Sequence, residues 1–130
     1  MPHYVADTHA LLWYLGGSPM LGVAARAAFD DAANGTSQVS VPASALAELV
    51  SLAEKRRGVI DLTRIVATLR SASGFHLTSL SPEVALRTQF LTALPDIHDR
   101  LIVAEALENN ATLITRDQLI NVSHLVPTVW

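Results

Sequence analysis

His3-Tyr4-Val5-Ala6-Asp7-Thr8-His9-Ala10-Leu11-Leu12-Trp13-Tyr14-Leu15 changes its hydrophobic rhythm at a single residue. Up to Ala6 the run is short and apolar and suits a strand. From Thr8 it reads as a helix that Gly16-Gly17 would stop. Asp7 stands at the junction. Leu113-Ile114-Thr115-Arg116-Asp117 repeats the arrangement, a short strand followed by an aspartate. In open parallel α/β sheets, ligands bind at the carboxyl ends of the strands, so both aspartates fall on the functional edge. An Asp after a strand also starts the next helix by accepting backbone N–H groups. On position alone, cap and ligand are both open for each.

Between these two blocks, helical patterns alternate with short strand-like runs. Ser18-Pro19 carries N-cap and N1 signals for a second helix, running to about Ala33 and stopping at Asn34-Gly35. Gln38 to Val41 alternates as a strand, and Pro42 opens a helix to about Arg56. Asp61 caps a helix to about Ser71, and Phe75 to Leu80 forms a strand. Ser81-Pro82-Glu83 begins a helix that ends before Pro95. Ile97 to Glu108 forms another, and Val126 to Trp130 adds an edge strand. This alternation predicts an α/β fold with a central, mainly parallel sheet flanked by helices. The 130 residues fit one domain, 1–130, large enough to bury about two-thirds of its unfolded surface.

Composition removes several classes. Half the residues are hydrophobic and 16% are charged, unlike a disordered or supercharged chain. No apolar run approaches the ~18 residues of a membrane span, and no signal-type segment opens the sequence, so no membrane association and a soluble, cytoplasmic protein are expected. With no cysteine, disulfides, thiolate chemistry and cysteine-ligated zinc are excluded. Ser44 and Ser51 lack a Gly-x-Ser-x-Gly context, and no Gly-rich phosphate loop follows a strand. The five histidines show no metal-ligand spacing. Trp13 and Tyr14 read as packing residues in preference to base-binding ones.

Asp99 is less easily assigned to a structural role. On the Ile97–Glu108 helix it lies in line with Ile102, Val103 and Ala106. A carboxylate heading a buried stripe needs compensation from Arg100, Arg116 or a bound cation. Asp96, one turn earlier, adds a second negative charge that a cation would relieve. Glu48 reads differently on pattern alone. The apolar face of its helix is Leu46, Leu49, Val50 and Ala53, which leaves Glu48 at the surface. Lys55-Arg56-Arg57-Gly58 invites an RNA-binding reading, but reads better as a helix C-terminus, with basic residues complementing the dipole and Gly at C′; one group can serve both purposes.

The formal charge of −3 counts twelve acids against nine bases. Without Asp7, Glu48, Asp99 and Asp117 the balance is +1, so the acidity is largely the candidate site. A nucleic-acid partner is permitted, although net charge does not call for one.

Four blocks together resemble the PIN-domain family, and within it the VapC-like toxin ribonucleases of type II toxin–antitoxin pairs. They are Tyr4 to Trp13, Ser44-Ala45-Leu46-Ala47-Glu48-Leu49, Asp96 to Ala104, and Leu113 to Asp117. The resemblance implies a PIN-like three-layer domain with Asp7, Glu48, Asp99 and Asp117 as catalytic acids. Asp7, Asp99 and Asp117 would be the metal ligands, and Thr8, Asp96 and Thr115 would support the site. Two positions depart from the family pattern. Ile97 stands where the family often has proline, and Glu105 replaces a small or hydroxyl residue, which puts the floor of the site in question.

The resemblance further implies an endoribonuclease that hydrolyses RNA phosphodiester bonds with Mg²⁺, or Mn²⁺ as a substitute, held by carboxylates. It implies a VapB-like antitoxin as protein partner, and a homodimer. A rival reading is a catalytically inactive PIN-like module that binds a protein or RNA partner. A phosphoacceptor receiver domain is disfavoured, because it needs paired acids after the first strand and a lysine after the last.

Overall fold

The computed structural model describes residues 1–130. Five strands form one sheet: β1 (His3–Ala6), β2 (Gln38–Pro42), β3 (Phe75–Thr78), β4 (Thr112–Ile114) and β5 (Thr128–Val129). Their order is β3-β2-β1-β4-β5, and every pairing is parallel. Seven helices connect them: α1 (Thr8–Leu15), α2 (Val23–Ala33), α3 (Ala43–Lys55), α4 (Leu62–Ser71), α5 (Pro82–Arg87), α6 (Ile97–Glu108) and α7 (Gln118–Ser123).

Successive strand side chains point to opposite faces, and two cores follow from that alternation. Ala6, Val39, Val41, Phe75 and Ile114 face a cluster that takes Leu11 from α1, Phe29 from α2, Leu49 from α3 and Leu69 from α4. Val5 and Leu113 face the other cluster, with Val84 from α5, Val103 from α6 and Ile120 from α7. The sheet is therefore the middle of three layers. Strands buried on both faces read as continuous apolar runs, as in Leu113-Ile114. No helix is long and apolar enough to cross a membrane.

The strand order reverses direction at β1. From β1 the chain builds β2 and β3 on one side, then crosses to lay β4 and β5 on the other. The crevice beyond the carboxyl ends of β1 and β4 is the switch point where open α/β sheets bind ligands. Ala6 pairs with Ile114, and the Asp7 N–H continues the ladder to the Ile114 carbonyl at 3.1 Å. That register brings Asp7 and Thr115 side by side.

Several boundaries differ from the sequence reading. The second helix begins at Val23, not at Ser18-Pro19. The Ser18 hydroxyl instead accepts from the Met20 N–H in a local turn, Leu21 is buried, and extended Gly22 is the N-cap. The strand at Phe75 stops at Thr78, and the helix at Pro82 closes after Arg87 into a 3₁₀ turn, Thr88–Phe90. Gly58, with φ +79°, lies two residues beyond the Arg56 C-cap of α3 instead of at C′. Val126 to Trp130 does add an edge strand, but only Thr128–Val129 pair, in parallel with β4.

Candidate active site

Asp7 is half-buried at the start of α1 and uses both carboxylate oxygens. Oδ1 accepts from the His9 N–H at 3.0 Å, capping the helix, and Oδ2 accepts from the Thr115 hydroxyl at 2.8 Å. Thr115 is buried, and its oxygen also accepts from the Asp117 N–H at 3.1 Å. One hydroxyl thus connects the acids that follow β1 and β4. Asp117 caps α7 through Oδ1, which accepts from the Ile120 N–H at 3.0 Å. Capping does not use up either aspartate: a carboxylate has about four lone-pair sites and one cap bond occupies one.

α6 brings in the third acid. Asp96 is its N-cap, accepting from the His98 N–H at 2.7 Å, and Asp99 lies in its first turn. Below Asp99 the stripe Ile102, Val103 and Ala106 is buried, as its spacing predicts. Neither arginine named as a possible partner reaches it. Arg100 donates through Nε to the Leu94 carbonyl, and the Arg116 guanidinium lies over the Trp13 ring. The only ion pairs are Arg87–Glu108 and His98–Glu48, so no Lys or Arg compensates any acid of this group.

Glu48 departs from its pattern-based reading. α3 is turned so that Ala45 and Leu49 enter the core while Val50 stays 44% exposed. Glu48 is therefore carried to the flank of the buried face, where α3 meets α6, and its Oε2 lies 4.0 Å from His98 Nδ1. Asp7, Thr8, Glu48, Asp96, Asp99 and Asp117 all line one cleft of about 280 Å³. Thr8 is buried at the head of α1.

The electrostatics follow from this crowding. Burial raises Asp99 to about 6, reinforced by repulsion from Asp117, Asp96, Asp7 and Glu48. Glu48 is also raised, by burial first and by Asp7 next, while His98 and His9 pull the other way. Mutual repulsion among uncompensated carboxylates is relieved by a cation. The donors are all hard oxygens, which suits Mg²⁺ or Mn²⁺ better than zinc. The N-termini of α1 and α6 add favourable partial charge for the anionic cluster. No three of these side chains stand close enough together to hold one metal ion. By the chemistry of its donors, though not by their spacing, the set suits a divalent ion.

Two histidines escaped the sequence reading. His9 and His98 both line the acidic cleft, although no sequence spacing marks them, because separate helices bring them there. Glu105 does not belong to the cleft. It is buried in α6, where Oε1 accepts from the Thr78 hydroxyl at 3.1 Å and from Asn109 Nδ2 at 3.3 Å. Its bonding is satisfied at the end of β3, away from the acids.

The family profile of the PIN domain matches residues 4–121. Ribonuclease VapC22 of Mycobacterium tuberculosis is 30% identical over 135 residues, an alignment spanning 100% of both chains. Among solved structures, VapBC2 from Rickettsia felis bound to a DNA fragment from their promoter matches with a TM-score of 0.74 at 16% identity, covering 98% of this chain and 97% of that one. VapC20 of Mycobacterium tuberculosis, described as a sarcin–ricin loop cleaving toxin, gives 0.68 at 14% identity over 95% and 96%. At such identities the structural matches speak for the fold alone.

Proposed function

Because the chain belongs to the PIN-domain family, on its VapC-like ribonuclease branch, we propose that it is a divalent-metal-dependent endoribonuclease and the toxin of a toxin–antitoxin pair. The observation that carries this reading is the convergence of Asp7, Glu48, Asp99 and Asp117 in one cleft at the switch point, without a Lys or Arg to neutralise them. A structural acid cluster would be paired. An unpaired one is suited to a metal and a phosphodiester.

Asp7, Asp99 and Asp117 would hold Mg²⁺ or Mn²⁺. When bound, the ion supplies Lewis-acid charge at the phosphoryl oxygens and acidifies the attacking water. Thr115 keeps the Asp7 carboxylate oriented and ties it to the Asp117 backbone. Asp96 fixes the start of α6 and hence the position of Asp99, while Thr8 packs under the cleft. Glu48, beside His98, orients water for attack on phosphorus. The water oxygen bonds to phosphorus as the P–O bond to the leaving RNA fragment breaks, and that fragment's ribose oxygen takes up a proton, leaving a phosphate monoester on the other fragment.

A VapB-like antitoxin is the expected protein partner, in keeping with the VapBC complex among the structural relatives, and a homodimer in the cytoplasm is the expected state. The test is cleavage of RNA by protein freed of antitoxin, with Mn²⁺ or Mg²⁺ against EDTA. Metal-dependent cleavage, lost in Asp7→Asn with the fold intact by circular dichroism, is the expected result. Full activity in EDTA, or in folded Asp7→Asn, would overturn the assignment.

A further inference from the structure

Beside the acidic cleft lies a second cavity of about 440 Å³, which shares Asp7 and Asp117 as one wall. Its other lining is aromatic and basic: Trp13 from α1, Trp130 beyond β5, Arg116 and Arg56. The indoles meet edge to face with centroids 5.8 Å apart, and the Arg116 guanidinium lies 4.5 Å from the centre of the Trp13 ring. Both tryptophans stay half-exposed, and neither arginine is in an ion pair. The chain contains only these two tryptophans. Arg116 is also covalently between Thr115 and Asp117, so its position is set by the residues that organise the acids.

Aromatic faces with unpaired guanidinium groups are the chemistry of single-stranded nucleic-acid binding. Bases stack on the rings, and Arg neutralises phosphates with a geometry that Lys lacks. The volume falls within the ~300–1,000 Å³ range of small-ligand clefts. The adjoining cleft is lined by five carboxylates, which repel a phosphodiester, so a cationic wall that shares Asp7 and Asp117 with it has a function that simple packing of the indoles does not provide.

We propose that this cavity is a nucleotide subsite. An unpaired base of the RNA lodges against Trp13 and Trp130, while Arg116 and Arg56 hold the flanking phosphates, which sets where the strand is cut. The inference rests on the ribonuclease reading and adds to it the residues that position substrate.

Tryptophan fluorescence reports on this cavity alone. Titrating the protein in EDTA with short single-stranded oligoribonucleotides should give saturable quenching. Trp13→Leu should weaken binding by about 5- to 150-fold, the worth of one stacked base, and the surface change Arg116→Gln, which removes a phosphate contact, should weaken it as well. In Mn²⁺ the loss should appear in KM far more than in kcat, and Trp13→Phe should restore binding where Trp13→Leu does not. If RNA is cut normally by Trp13→Leu and Arg116→Gln, with no quenching in the parent chain, the subsite is overturned and the ribonuclease reading stands. Quenching by purified antitoxin but not by RNA also overturns it. Absence of any metal-dependent cleavage by the parent chain overturns the ribonuclease reading itself, and the subsite with it.

Discussion

The Thr115 hydroxyl is bonded on both sides, donating to Asp7 and accepting from the Asp117 N–H. Thr115→Val keeps the shape and removes both bonds. Supporting groups of metal sites typically command about 10–100-fold in activity or metal affinity. A drop of that order in kcat/KM, with Thr115→Ser restoring it, is the expected outcome of steady-state assays across a Mn²⁺ titration. Asp99 makes a separate prediction. Its folded pKa of about 6 lies above the ordinary 3.8, so the folded state binds the extra proton. Its contribution to stability is therefore fully present below pH ~4 and is lost as pH rises through ~6. In EDTA, urea denaturation at intervals across that window should show stability falling with pH, and Asp99→Asn should flatten the fall. A rise instead would contradict the crowding of acids around Asp99.

Helix orientation decides how much of the site could be read beforehand. α6 was legible because its stripe from Asp99 to Ala106 is uniform, and α1 because strand and helix periods meet at Asp7. α3 was not. Its apolar residues spread around the cylinder, so the choice between Leu46/Val50 and Ala45/Leu49 as the inner face depends on packing against β2, α1 and α6. Glu48 moved from surface to cleft with that rotation. The start of α2 was hidden for a similar reason: an added Cβ on Gly22 would lie 2.4 Å from the Trp130 carbonyl carbon, a constraint from the far end of the sheet. Gly74 before β3 is tighter still, its added Cβ meeting the Ala32 carbonyl oxygen of α2 at 1.9 Å. Gly74→Ala should destabilise the fold by about 1–3 kcal/mol, the usual cost of overpacking. Chemical denaturation measures this, and an unchanged midpoint would show that α2 can move away from β3.

Strand order is a property of the whole chain, and the sequence shows only that strands and helices alternate. β1 is central because it pairs in parallel with β2 along one edge and with β4 along the other. With that order the acids meet at one edge, and a divalent ion there should act as a clasp on the folded state. At Mn²⁺ a hundredfold above its Kd, stabilisation of about 2.7 kcal/mol is expected. A thermal melt with and without Mn²⁺ reads it directly, and the gain should be smaller in Asp7→Asn. The bond from Thr115 to Asp7 spans 108 residues. A chain emerging from the ribosome thus carries Asp7 from the outset, but it has no β4 against which to set it until residues past Ile114 are made. For most of its synthesis the nascent protein therefore lacks this contact, which forms only when the sheet closes across its switch point.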